Sequence, residues 1–337
     1  MTRADGVLAQ AMTQLDFTRD LVAEVAAVVF PSTPVVALVP IRGGLEASVA
    51  RLTLRDASQR QQHVVVKRIE RGAQREATRY RLLRSAGVMP ELFGAIDHGD
   101  STWLFFERVR PVSTWPWRDS ANTRLVLEQL ARVHGFGDEA TSGEEWNYEA
   151  ELLSSAAETV VVAAGCAPLL PELDVRRHLR PLERVAASLP EARKRMNHAL
   201  GTTLIHGDVH TGNVMLRRRA SRPEVVFLDW GRSRIGSPLE DVSSWLLSLR
   251  SWEPAAGRDH DTLFRAYLAA ADRPAVLTPE LRDAYWIAAA SNALAGALRY
   301  QLVVARESAG KTRGVAVAQA RAAFRVIRHA DQRLRRA

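Results

Sequence analysis

Apolar positions along this chain recur in two periods. Between Gly6 and Phe30, Leu8, Met12, Leu15, Leu21, Val25 and Val28 fall at helical spacing and Pro31 closes the run, which predicts a helix. The period then shortens. Val35 to Ile41, Ala47 to Leu54, the β-branched run His63-Val-Val-Val-Lys67, Leu92 to Asp97 and Trp103 to Val109 read as strands, with a helix from about Gln74 to Ser85 among them. The turn His98-Gly-Asp-Ser101 joins the last two strands. After Val109 helical spacing dominates, in Arg124 to Gly135, Leu263 to Ala271, Pro279 to Arg306 and Val315 to Leu334. One extended pair interrupts it: Val214 to Leu216 and Val226 to Leu228 flank a polar segment containing Arg222 and Pro223 and predict a hairpin. In a symmetric register, with Val214 opposite Leu228 and Met215 opposite Phe227, Asn213 and Asp229 face each other at its open end.

That open end carries the chemistry. Asp208 lies five residues before Asn213, in a loop that leaves the apolar strand end Leu204-Ile205 and holds Gly207 and Gly212 where the backbone must turn. Three side-chain oxygens are thus expected near one point. The arrangement suits phosphoryl transfer from a nucleoside triphosphate, because Mg²⁺ prefers one or two protein oxygens with phosphates and waters. Asn213 and Asp229 fit as metal ligands, and Asp208 fits as the base that takes the proton of an attacking hydroxyl. His206 reads as a residue that orients the loop, and His210 as an exposed loop residue.

His206-Gly-Asp208 with Asn213, followed by Leu228-Asp-Trp230, resembles the catalytic loop and metal aspartate of the aminoglycoside phosphotransferase and choline kinase family, relatives of the protein kinases. The earlier His98-Gly99-Asp100 has Phe105 where the asparagine should stand, and reads as a hairpin turn. The resemblance implies an α+β, bilobal protein-kinase-like fold: residues 1–108 as a small N-lobe with an antiparallel sheet, and residues 109–337 as a mainly helical C-lobe. It also implies that Lys67 grips the phosphates of ATP or GTP and that Glu76 fixes Lys67. Glu70, in the connecting turn, is the competing partner, since nine residues between Lys67 and Glu76 is short for the family. By the same likeness Gly43 and Gly44 cover the phosphates, although a Gly-Gly turn occurs in any hairpin. Glu107, Arg108 and Val109 present their backbone to adenine, and Asp241 braces the catalytic loop. The implied activity is transfer of the γ-phosphoryl group to a hydroxyl of a small molecule, an antibiotic first, with choline, homoserine or a sugar as the alternative.

Composition bounds these readings. At 337 residues there is room for two lobes, and no apolar run approaches the roughly 18 residues of a membrane helix. Asp5 and Asp16 do not suit a signal peptide, so a soluble, cytoplasmic protein is expected. A lone cysteine, Cys166, excludes an internal disulfide and reads as a small buried hydrophobe. Of the net charge of +8, +7 falls from Ser308 onward, which raises a nucleic-acid partner as a different class of function. The stripe Val317, Ala320, Phe324 and Ile327 weighs against that, because it would dock the segment as a helix. From Val133 to Val175 there is no Lys or Arg, and nine acids there could draw a cationic acceptor or form a solvated face. Trp252, Tyr285, Trp286 and Tyr300 could line an acceptor pocket or fill the core. A catalytically silent kinase-like scaffold is disfavoured, since the base, both metal ligands and Lys67 are all present.

Overall fold

The computed structural model describes residues 17–41, 48–70, 74–137, 148–219 and 222–336. The chain divides into two compact units, Met1–Thr114 with Val214–Ser233, and Trp115–Asn213 with Arg234–Ala337. Where the sequence suggests one cut after residue 108, the hairpin that follows Asn213 therefore belongs to the first unit.

The first unit is built on a five-stranded antiparallel sheet in the order β1-β2-β3-β5-β4: β1 Val35–Ile41, β2 Ser48–Arg55, β3 Gln61–Glu70, β4 Leu92–His98 and β5 Ser101–Glu107. Strand alternation decides what each face does. Val64 and Val66 of β3 are fully buried with Leu52, Trp103 and Phe105 beneath helix α1, Arg19–Val29. Lys67 is thereby turned to the opposite face, toward helix α2, Gln74–Leu82. The α1 helix is shorter than its periodicity suggests. Thr18 is extended (φ −90°, ψ 164°) and its hydroxyl accepts from Leu21 N, so it caps the helix, and residues 1–16 lie outside the described residues. Glu70 ends β3 and does not sit in a turn.

The hairpin pairs β7, Val214–Arg219, with β8, Arg222–Phe227, but one residue out of the expected register: Val214 meets Phe227 and Met215 meets Val226. The frame that sets Asn213 against Asp229 is not the one these strands use. In this register Val214, Leu216, Val225, Val226 and Phe227 are all buried, and Phe227 N donates to Val88 O at 2.7 Å. Long-range bonds tie the hairpin to its unit, through Val112 N to Leu216 O at 2.9 Å and the Arg217–Glu107 ion pair at 2.7 Å.

The second unit is helical: α3 Ser120–His134, α4 Tyr148–Cys166, α5 Val175–Leu200, α6 Pro238–Trp252, α7 His260–Ala270, α8 Pro279–Asn292, α9 Leu298–Glu307 and α10 Gly310–Leu334. One small sheet joins them, β6 Thr203–Ile205 antiparallel to β9 Arg234–Gly236. The run Pro279 to Arg306 is not one helix. A π segment, Ala293–Ala297, breaks it at Gly296, whose φ of 128° is outside what a side-chain-bearing residue adopts without strain. Cys166 is buried. The fold class is thus α+β as expected, and among the described residues no helix is long and apolar enough to cross a membrane.

Candidate active site

Lys67 anchors the site in the first unit. Its Nζ donates to both oxygens of Glu76, at 2.9 and 2.7 Å, and to Asp229 Oδ1 at 2.9 Å. Burial disfavours the ammonium, but the Glu76 and Asp229 carboxylates more than offset it and hold Lys67 above its ordinary pKa. Burial also pushes up the Glu76 carboxyl, against the pull of Lys67. Both Glu76 oxygens take the Lys67 ammonium, which makes Glu76 rather than Glu70 the partner of Lys67. Asp229 adopts left-handed φ/ψ (61°, 72°), a conformation unusual for a residue with a side chain. The turn after it is pinned by Trp230, fully buried, whose Nε1 donates to Phe227 O at 3.2 Å. Tyr80, which is buried, adds a contact that the sequence did not suggest: its ring packs on Phe106, with centroids 4.5 Å apart.

Asp208 and Asn213 belong to the second unit. Their loop hangs on Asp241 of α6, whose Oδ2 accepts from His206 N at 2.7 Å and whose Oδ1 accepts from Gly207 N at 2.8 Å. The His134 ring, at the end of α3, meets Asp241 Oδ2 through Nε2 at 3.1 Å and the Tyr267 hydroxyl through Nδ1 at 2.8 Å. Burial would raise the Asp241 carboxyl, but the bonds from His134 and Gly207 outweigh it and hold it below its ordinary range. Gly207 takes φ 81° to turn both amides toward Asp241. His206 is fully buried and its Nδ1 accepts from Asp208 N at 3.2 Å, so it orients the loop.

Asn213 Nδ2 donates to Asp208 O and Oδ2, each at 3.1 Å. The amide nitrogen is thus spent on the aspartate, and oxygen is what Asn213 has left to offer a cation. A Cβ at Gly212 would stand 2.8 Å from the His210 ring, which accepts from Gly212 N at 3.0 Å, so that ring would have to give way. Thr211 N donates to Ser248 Oγ at 3.0 Å, a second tie between loop and α6. Tyr267 and Ser248 were not legible as loop supports, since they come from helices well beyond the loop in the chain.

Other expected residues are placed as follows. Gly43 and Gly44 lie outside the described residues. Glu107 N donates to Glu91 O at 2.8 Å, and its carboxylate is held by Arg217. Among the described residues no three His, Cys, Asp or Glu side chains form a protein-only metal site. A carboxylate and an amide oxygen are hard donors, which fits a magnesium ion that draws its remaining ligands from phosphates and water.

A family model described as a phosphotransferase enzyme family matches residues 37–279. Solved structures of similar fold include the ethanolamine kinase of Plasmodium vivax, with a TM-score of 0.61 at 11% identity over 95% of this chain and 94% of that one. An aminoglycoside phosphotransferase from Alicyclobacillus acidocaldarius gives 0.60 at 14% identity, covering 96% and 97%. The aminoglycoside phosphotransferase APH(3'')-Id of Streptomyces rimosus, in complex with ADP and streptomycin, gives 0.54 at 18% identity, covering 82% and 97%. No curated protein matches the chain. With most of its length matched by that family model, and a sheet-borne lysine clamped by two acids, the chain belongs to the phosphotransferase enzyme family.

Proposed function

We propose that this protein transfers the γ-phosphoryl group of ATP or GTP to a hydroxyl of a small molecule in the cytoplasm. The observation that carries the reading is the Lys67 ammonium, held by both oxygens of Glu76 and by Asp229. A charge fixed in this way can grip phosphates without first being ordered. Gly43 and Gly44 would cover those phosphates, and the Arg108 and Val109 backbone would meet the purine edge. Mg²⁺, bound by Asp229 and the Asn213 oxygen, would supply neutralisation of the phosphate charge.

Asp208 acts as the base. Asn213 holds its Oδ2 at 3.1 Å, which aims the carboxylate and leaves Oδ1 for the proton of the acceptor hydroxyl. Asp208→Asn is expected to lower turnover by about 10²-fold or more while nucleotide binding is kept. A fluorescent-nucleotide titration beside an ATP-consumption assay reads both, and unchanged turnover would sink the mechanism.

For the acceptor, an antibiotic is the first reading, supported by two antibiotic phosphotransferases among the similar folds, one of them holding streptomycin. The ethanolamine kinase, similar over nearly its whole length, supports a metabolic alcohol as the second. A susceptibility panel in a host expressing the wild type or Asp208→Ala separates them. Protection by the wild type alone supports the first, and its absence together with turnover of an amino alcohol supports the second.

A further inference from the structure

The first unit contains a cavity of about 550 Å³ that neither Lys67, Glu76 nor Asp229 lines. Five arginines face it, Arg84, Arg108, Arg110, Arg217 and Arg218, against two acids, Glu91 and Glu107. Both acids are already committed. Glu91 Oε1 accepts from Arg84 Nη2 at 3.1 Å, and Glu107 accepts from Arg217 Nη1 with both oxygens, at 2.7 and 2.8 Å. Arg217 is also held through Nε by Glu224 at 2.7 Å, and with 12% of its side chain exposed its guanidinium keeps one orientation. Arg108, Arg110 and Arg218 make no ion pair among the described residues.

Positive charge is therefore in surplus around one concave space, and it is felt nearby. His63 is held below its ordinary pKa, first by desolvation and then by Arg108, Arg51 and Arg110. The rest of the lining is different: Tyr80, Met89, Pro90 and Leu92 make an apolar wall, with Tyr80 and Met89 buried. A space of this size, part apolar and part guanidinium, suits a ligand with an organic body and one strongly anionic end. Guanidinium forks match phosphate oxygens in pairs, and several around one group hold a dianion far better than a monoanion.

We propose that this cavity is a binding site for a small organic phosphate, separate from the Lys67 cluster and independent of the phosphoryl-transfer reading. Arg110 and Arg218 reach the phosphate from the exposed rim, Arg217 presents a fixed guanidinium, and the organic body lies on Tyr80, Met89 and Leu92.

Phenyl phosphate is the probe, since it carries both parts and no nucleoside. Calorimetric titration of the full chain at low salt should show saturable one-to-one binding, about tenfold tighter than inorganic phosphate. The Arg110→Ala/Arg218→Ala variant changes two exposed side chains and should fold as the parent does, checked by its thermal melt, yet bind about tenfold more weakly. The Lys67→Met/Glu76→Met variant, which removes the other cationic site, should bind as the parent does. Loss of binding in that second variant, undiminished binding in the arginine variant, or no saturable binding to the parent would each overturn the proposal.

Discussion

The Glu76 carboxylate, with 3% of its side chain exposed, takes the Lys67 ammonium with both oxygens. Lys67→Met would leave that carboxylate buried without its cation, and is expected to cost about 3–5 kcal/mol in urea unfolding. Adding Glu76→Met should restore most of the loss, because an apolar pair of similar volume carries no desolvation penalty. A double variant no more stable than Lys67→Met would mean that the ion pair does not join β3 to α2. Lys67 was legible because a β-branched run ends in a single Lys, and Glu76 because it stands on the next helix. The direct Lys67–Asp229 contact was not, since it joins residues more than a hundred positions apart.

At the level of elements, one helix holds one loop. Asp241 on α6 takes two loop amides and the His134 ring, and its carboxyl lies below the ordinary value of 3.8. A depressed folded pKa stabilises the native state above the unfolded pKa, and that contribution is lost as pH falls through the folded value. The wild type should therefore exceed Asp241→Asn in stability near neutral pH, with the gap closing below about pH 4. Urea midpoints of both proteins across that range test the sign, and a gap that widens in acid would contradict the brace. The helix and Asp241 as the brace were legible only through the family likeness. Tyr267 behind His134 was not. Likewise, the acidic stretch before the catalytic loop invited a cationic acceptor, yet Glu149, Glu158 and Glu172 pair with Arg193, Arg299 and Arg313 from other helices. Tyr285, a candidate pocket residue, is buried, with its hydroxyl on His260 at 2.9 Å, while Trp286 stacks on His329.

At the scale of the whole molecule, most of the net charge sits on a terminal segment whose other face is core. Val317, Ala320, Phe324 and Ile327 of α10 are buried, and His178 stacks on the Phe324 ring at 4.5 Å. Several of its arginines are taken up: Arg313 pairs with Glu172, Arg333 with Asp283, and Arg335 with Asp331, which also binds Arg184. Phe324→Ala should cost about 3–5 kcal/mol, the usual range for emptying a buried aromatic site, read from the denaturant midpoint. A change below about 0.5 kcal/mol, the size of a surface substitution, would show the helix to be peripheral. Period and turn residues, which act between neighbours in the chain, were enough to place the strands, most of the helices and the polar loop that carries Asp208 and Asn213. Only the folded chain decided that the hairpin joins the sheet unit, that it pairs one residue away from the symmetric frame, and which distant hydroxyl stands behind the His134–Asp241 contact. Those outcomes depend on volumes filled and hydrogen bonds closed between segments a hundred or more residues apart, which no local pattern encodes.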